Sequence, residues 1–135
     1  MTTHIADLKT FLSKIDAAIV VKGFDDLANL NKITDAKAAY VHKDIEIYEV
    51  KTLLKRTTFM YPIELRGTTD AILEGLLEAL ILNIYKVLVG TAIAGYTRPP
   101  QLCMLKLFPS AKIERTKVKK GIWSVELKLL MEWSQ

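Results

Sequence analysis

The sequence predicts an α+β fold, in which an N-terminal helix and one long central helix pack on a mainly antiparallel sheet. Three observations predict this class. Residues 57–65 and 121–135 alternate apolar and polar side chains with a period of two, as half-buried antiparallel strands do. A long, very apolar segment with helical spacing lies between them. The order is helix, strands, helix, strands, and 135 residues are enough for one domain, 1–135, with a core of its own.

The first predicted element is an amphipathic helix. Its polar face carries Asp7, Lys9, Lys14 and Asp16, and Thr2 or Thr3 is expected to cap it. Residues 23–37 show only weak periodicity and are predicted to form a loop, with or without a short helical turn. The apolar side chains that recur at helical spacing in the first segment are Ile5, Leu8, Phe11, Leu12 and Ile15.

Three strands are expected before the long helix. The segments AAYVH (38–42) and IEIYEV (45–50) are rich in β-branched and aromatic residues, with Lys43-Asp44 as a turn or bulge between them. In the third strand one face carries Phe59, Tyr61, Ile63 and Leu65, and the other carries Thr58, Met60, Pro62 and Glu64. Because proline cannot donate a ladder hydrogen bond, this strand is predicted to lie at an edge or to be locally bulged.

Gly67 is expected to end that strand, and Thr68 or Thr69 with Asp70 to open the long helix. Gly90, Gly95 and Arg98-Pro99-Pro100 are expected to close it. A helix that is apolar nearly all round needs burial on more than one side. One side can lie on the sheet, and the other requires either the first helix or a neighbouring subunit. The apolar positions are Ile72, Leu73, Leu76, Leu77, Leu80, Ile81, Ile84, Val87 and Leu88.

Two strands are predicted to finish the chain, LCMLKLF (102–108) and the segment 121–135. In the second, apolar residues alternate with Ser124, Glu126, Lys128 and Glu132, which predicts one buried face and one wet face. The apolar positions of that strand are Trp123, Val125, Leu127, Leu129, Met131 and Trp133.

Neither a membrane span nor a signal peptide is expected. Asp7 and Lys9 interrupt the N-terminal segment. Within the apolar residues 71–96 three charged side chains intervene, and the longest uncharged run is 11 residues, 87–97. A spanning helix needs about 20 predominantly apolar residues, so a buried helix is the better interpretation.

The positive charge of the chain is concentrated in one segment. The net charge is +4 and the pI is about 9.1. Residues 112–120 carry five cations against one acid, Glu114, and so account for the whole excess. The segment could contact phosphates, or it could be a hairpin tip or arm that docks on an acidic patch of a neighbour. Because no aromatic residue for base stacking lies between Phe108 and Trp123, we favour the second interpretation.

The residues for common catalytic chemistry are not grouped in this sequence. The two histidines, His4 and His42, and the one cysteine, Cys103, lack the spacing of a metal site or a nucleophile with its base. Glu74 and Glu78 share a helix face, but no Glu-x-x-His partner exists to complete a carboxylate metal site. We therefore expect a protein without catalytic activity, cofactor or metal, although residues from separate subunits could still build an enzyme site.

The order of elements resembles a family. The strand TTFMYPIELRG (57–67) runs directly into TTDAILEGLLEALILNIYKVL (68–88), and the chain ends in the long strand GIWSVELKLLMEWSQ (121–135). This pattern is similar to the tail-terminator and neck-to-tail joining proteins of tailed viruses and of contractile tail-like particles. The resemblance covers most of the chain, and the family has no diagnostic motif.

The resemblance implies a structural subunit of a virion that forms a ring, usually hexameric, at the end of the tail tube. It implies the tail tube and neck proteins as partners, and DNA passing through the lumen. The alternative is a small α+β binding module that contacts nucleic acid through the hairpin 112–120, or a small ligand between sheet and helices. The candidate interface residues are Glu74 and Glu78 on the long helix, Lys112, Arg115, Lys117, Lys119 and Lys120 on the basic segment, and Phe24, Asp25 and Asp26 in the early loop.

Overall fold

A computed structural model describes residues 4–23, 36–108, 115–119 and 121–135, with the backbone alone at 118 and 119. The candidate interface residues Phe24, Asp25, Asp26, Lys112 and Lys120 lie outside these ranges. The helices of the described part are α1 (Ile5–Leu12) and α2 (Asp70–Val89), and its strands are β1 (Val20–Gly23), β2 (Lys37–Val41), β3 (Glu46–Lys51), β4 (Arg56–Gly67), β5 (Leu102–Leu107), β6 (Arg115–Lys119) and β7 (Ile122–Ser134).

All seven strands belong to one sheet, built around β4 and β7. These two long strands pair antiparallel over their full length, from Arg56 opposite Ser134 to Gly67 opposite Trp123. The sheet order is β1-β2-β4-β7-β5. On its other side from β7, β4 pairs with β2 along one half of its length and with β3 along the other half. In the same way, β7 pairs with both β5 and β6 on its side away from β4. The α+β prediction is confirmed. The sheet is mixed, because β1, which the sequence did not predict as a strand, runs parallel to β2.

The prediction that the strand containing Pro62 lies at an edge or is locally bulged is wrong, because β4 is central and pairs with β7 through Pro62 without a register shift. In an antiparallel ladder the N–H and C=O groups of one residue point to the same neighbour. The carbonyl of Pro62 accepts a hydrogen bond from the backbone N–H of His42, on the side of β2 and β3. On that side β2 pairs with residues 63–67 and β3 with 56–60, so Pro62 lies in the break between two partner strands. Because Pro62 has no N–H to return to the carbonyl of His42, the pairing of β2 ends here, and β3 takes its place on the same side of β4.

The core lies between the sheet and the two helices. The apolar face of β4 is the one predicted, and it meets the alternating apolar residues of β7 and the inner side of α2. Leu73, Leu76 and Leu80 of α2 are at most 2 % exposed. The burial of these side chains is the main stabilisation of the fold.

The face of β7 turned away from the core was predicted to be exposed to solvent along the strand. In the structure, its exposed side chains are those of Glu126 and Lys128. Leu130 is 1 % exposed and Glu132 5 %, and Leu130 pairs with Met60 of β4. The rings of Tyr48, at an irregularity in β3, and Phe108, after β5, meet edge to face with centroids 5.7 Å apart. Because β3 and β5 flank the central pair on opposite sides, we infer that the sheet curls over this face.

Helix α2 begins at the second of the two predicted threonines and ends at the first of the predicted closing residues. Thr69 is the N-cap, and its side-chain oxygen accepts a hydrogen bond from the N–H of Ile72 at 3.1 Å. Gly90 is the C-cap with φ 78°, a conformation that glycine adopts without steric cost. Beyond it the guanidinium of Arg98 donates to the carbonyls of Val87 and Leu102, which ties the end of α2 to the start of β5.

Helix α1 is shorter than its apolar periodicity suggests. It ends at Leu12, and its N-cap is His4, which has φ 54° and makes no side-chain capping bond. The predicted threonine caps lie outside the described residues. Asp16 lies beyond the helix end, where its carboxylate accepts the N–H of Ala18 and pairs with Lys37 at 2.7 Å. This ion pair ties the segment after α1 to β2.

Candidate subunit interface

The outer side of α2 is an exposed apolar surface. Its side chains, which we call the α2 stripe, recur at helical spacing and are Ile81, Leu82, Tyr85, Leu88 and Val89, each between 47 % and 61 % exposed. The sequence predicted that α2 needs a second cover, and α1 does not provide it. Soluble monomers seldom expose large contiguous apolar patches, so the α2 stripe is a candidate contact surface.

A second apolar surface lies at the tip of the hairpin formed by β3 and β4. Leu53 is 99 % exposed and Leu54 is 59 % exposed. They lie in a four-residue loop, 52–55, between Lys51 and Arg56, which are opposite each other in the ladder. The hairpin tip, as we call residues 52–55, therefore presents two leucines to solvent where turns usually carry polar residues.

The hairpin tip has a defined backbone. The N–H of Lys55 donates to the carbonyl of Thr52 at 3.2 Å, and Lys55 itself has φ 53°. The carbonyl of Lys55 in turn accepts the N–H of Gln135 at 2.8 Å. A left-handed lysine is strained, and the contact with the last residue of the chain helps to hold it there.

The base of the same hairpin is anchored by a buried carboxylate. One oxygen of Glu132 lies 2.8 Å from Nζ of Lys51, and the other lies 3.5 Å from the guanidinium of Arg56. Thr58 also donates to Glu132. The hydrogen bond from Lys51 holds the pKa of Glu132 below its usual value, although burial acts in the opposite direction. This cluster joins β3, β4 and β7 beneath the hairpin tip.

The basic segment, residues 112–120, is not only a loop, because residues 115–119 of it form strand β6. Its Arg115 lies 3.0 Å from the carboxylate of Asp70 and 3.7 Å from that of Glu74, both in the first turns of α2. Two predicted interface residues, Arg115 and Glu74, therefore pair within one chain. Lys117 and Glu78 are exposed, and Lys119 is described only by its backbone.

One cluster of titratable groups lies near the start of the chain. The hydroxyl of Tyr96 donates to the carboxylate of Asp7 at 3.0 Å, and the ring of His4 stacks on Trp133 with centroids 3.8 Å apart. Burial raises the pKa of Asp7 and of Tyr96, and it lowers the pKa of His4. These groups contact one another and the core. Within the described ranges no three His, Cys, Asp or Glu side chains are grouped as a metal site would require.

The raised pKa of Asp7 has a consequence for stability. Because the folded state binds the proton more tightly than the unfolded state, the ionised carboxylate destabilises the fold above its folded pKa. Asp7→Asn should therefore raise the free energy of unfolding at neutral pH, by less than about 1 kcal/mol. The gain should vanish below the ordinary pKa of 3.8. Urea unfolding at several pH values measures this difference.

Asp16→Asn is the matched control for this measurement. The hydrogen bond from Lys37 lowers the pKa of Asp16, so the ionised form stabilises the fold. Its substitution should destabilise the protein above the ordinary pKa of 3.8, with the loss fading as pH falls through the lowered value. The same sign for both substitutions would contradict the roles given to these two carboxylates.

The hairpin tip was missed by the sequence analysis, although a signal for it exists. Two consecutive leucines at 53 and 54 stand between a strand and the alternating residues of β4, with Lys51, Lys55 and Arg56 around them. Loops of this kind are usually polar, so an apolar pair at this place indicates a contact that the chain does not make with itself.

The sequence matches no protein-family model and no curated protein. Among the helices in the described part of the chain, none is long and apolar enough to cross a membrane.

Proposed function

We propose that this protein is a non-enzymatic structural subunit that assembles with copies of itself into a ring at the end of a viral tail or tail-like tube, joining the tube to the neck. The observation that carries the proposal of self-assembly is the α2 stripe. The resemblance in the order of strand, long helix and terminal strand carries the assignment to a tail.

The character of the α2 stripe supports a stable protein contact. It contains one aromatic and four aliphatic side chains on the surface of a regular helix, which is a rigid platform. Tyr85 is 61 % exposed, and large aromatic side chains contribute much of the binding energy at protein interfaces. A ring formed by head-to-tail contacts would bury such a surface once in every subunit.

The described part of the basic segment also favours assembly over binding to nucleic acid. Arg115 lies between the carboxylates of Asp70 and Glu74, so its charge is largely compensated. A phosphate-binding surface needs cations directed at solvent. The structure describes two basic side chains of this segment, Arg115 and Lys117, and of these Lys117 is the one for which no ion pair with a carboxylate is described.

The proposal predicts that the wild-type protein is oligomeric and that the α2 stripe is required. The variant Leu82→Glu with Tyr85→Glu should stay monomeric at concentrations where the wild type assembles, because two charges cannot be buried in an apolar contact. Size-exclusion chromatography with light scattering measures the mass, and negative-stain microscopy shows whether the assemblies are closed rings.

The matched control is Thr91→Glu with Ala94→Glu, which adds the same charge at exposed positions just after α2. This control should assemble as the wild type does. A wild-type protein that remains monomeric at every concentration would contradict self-assembly. Salt-sensitive binding of duplex DNA by that monomer would favour the nucleic-acid module instead.

A further inference from the structure

Two exposed apolar surfaces in the described part of the chain, the hairpin tip and the α2 stripe, have exposed side chains of opposite charge beside them. Lys55, exposed, follows Leu53 and Leu54 in the hairpin tip. Glu78, also exposed, precedes Leu82 by four residues and so lies on the same side of α2, whereas the cation four residues after Leu82, Lys86, is partly buried. We infer that the hairpin tip of one copy docks on the α2 stripe of the next, with Lys55 beside Glu78. This inference rests on the proposed self-assembly and names the contact that produces it.

Neither surface is covered by the described part of its own chain. Leu53 is 99 % exposed, so it contacts essentially nothing in its own chain. Leu82 and Tyr85 are 52 % and 61 % exposed, so they are not covered from within either. One chain thus carries both an apolar projection and an apolar helix face.

The shapes of the two surfaces favour a head-to-tail contact over a symmetric one. A hairpin loop is a narrow projection, and the side chains of a helix at spacings of three and four form ridges with grooves between them. Two leucines can enter the grooves beside Leu82 and Tyr85. A tip-to-tip contact would instead bring the Lys55 ammonium groups of both copies together, which is unfavourable.

A head-to-tail contact between different surfaces leaves one free tip and one free stripe on every assembly until it closes. Rings therefore follow if the rotation between neighbours closes, and filaments follow if it does not. The tip is suited to set that rotation because its loop is fixed at both ends. Lys55 bonds to Thr52 and Gln135, and Lys51 pairs with Glu132 below.

Covalent trapping tests the contact directly. In a Cys103→Ser background, Leu54→Cys and Leu82→Cys are introduced into the same chain, and the protein is oxidised at a concentration where the wild type assembles. We expect a ladder of covalent dimers, trimers and larger species on a non-reducing gel. Each single-cysteine variant should give at most a dimer, because only the pair can link successive copies.

A charge exchange provides the second measurement. Lys55→Glu or Glu78→Lys alone should shift the midpoint of assembly to at least several-fold higher protein concentration, and the double variant should return toward the wild type. Lys106→Glu, which reverses an exposed charge on β5, is the control and should leave the midpoint near that of the wild type.

The outcomes separate this inference from the proposed function. If the wild type assembles but the double-cysteine chain gives no ladder beyond dimers, the head-to-tail docking is wrong and the assembly uses another contact. If the wild type itself stays monomeric, the proposed function fails first. A ladder without restoration by the double charge variant would support the apolar contact and overturn the pairing of Lys55 with Glu78.

Discussion

Replacing Gly67 with alanine is expected to destabilise the protein by about 2 kcal/mol. Gly67 is the last residue of β4, directly before the turn into α2. A Cβ atom there would lie 2.9 Å from a side-chain methyl of Ile72 and 3.0 Å from the backbone nitrogen of Leu73. That nitrogen donates to the carbonyl of Thr69 in the first turn of α2. The contact is with helix backbone and cannot be relieved by rotating a side chain.

Gly75→Ala is the matched control for Gly67→Ala. Gly75 lies inside α2, and a Cβ there would meet no other atom within 4 Å. Alanine in an open helical position is favoured over glycine by up to about 1 kcal/mol, so this substitution should stabilise the protein. Urea unfolding measures both free energies, and equal effects of the two substitutions would contradict the close packing at Gly67.

The sequence predicted those parts of the fold that depend on local pattern. The alternation in β4 and β7 predicted their core faces, and Thr69 and Gly90 predicted the ends of α2. Pro62 was misinterpreted because a proline in a central strand can also lie where one partner strand ends and the next begins, and the residues of β4 alone do not show where its partners end. β1 was missed because its four residues form a strand only by pairing parallel with β2.

The sequence predicted that an apolar interface exists on α2, but it did not predict which side chains form it. The apolar excess of α2 indicated an uncovered side, yet only the packing shows that the α2 stripe is that side. Arg115 was expected to reach a neighbouring subunit because its charge was visible in the sequence. Its proximity to Asp70 and Glu74 depends on β6 pairing with β7 beside the start of α2, and no short-range pattern shows that.

The anchor of the hairpin connects the stability of the fold with the proposed assembly. Glu132 lies on the face of β7 that was expected to be wet, yet it is 5 % exposed. A buried carboxylate is stable only with partners, and here they come from Lys51, Arg56 and Thr58. The same residues form the base of the hairpin that carries Leu53 and Leu54. Loss of this anchor should therefore weaken assembly as well as folding.

Glu132→Gln is expected to destabilise the protein by about 2 kcal/mol at neutral pH, because it removes a buried charge that accepts charge-assisted hydrogen bonds. The folded pKa of Glu132 is lowered, so its stabilisation is present above the ordinary value of 4.5 and is lost as pH falls through the folded value. The difference between wild type and variant should shrink accordingly in acid. Glu126→Gln, on the same face of β7 but exposed, should change the free energy of unfolding by at most about 0.5 kcal/mol. A pH-independent difference for Glu132→Gln would show that its carboxylate charge does not stabilise the hairpin base.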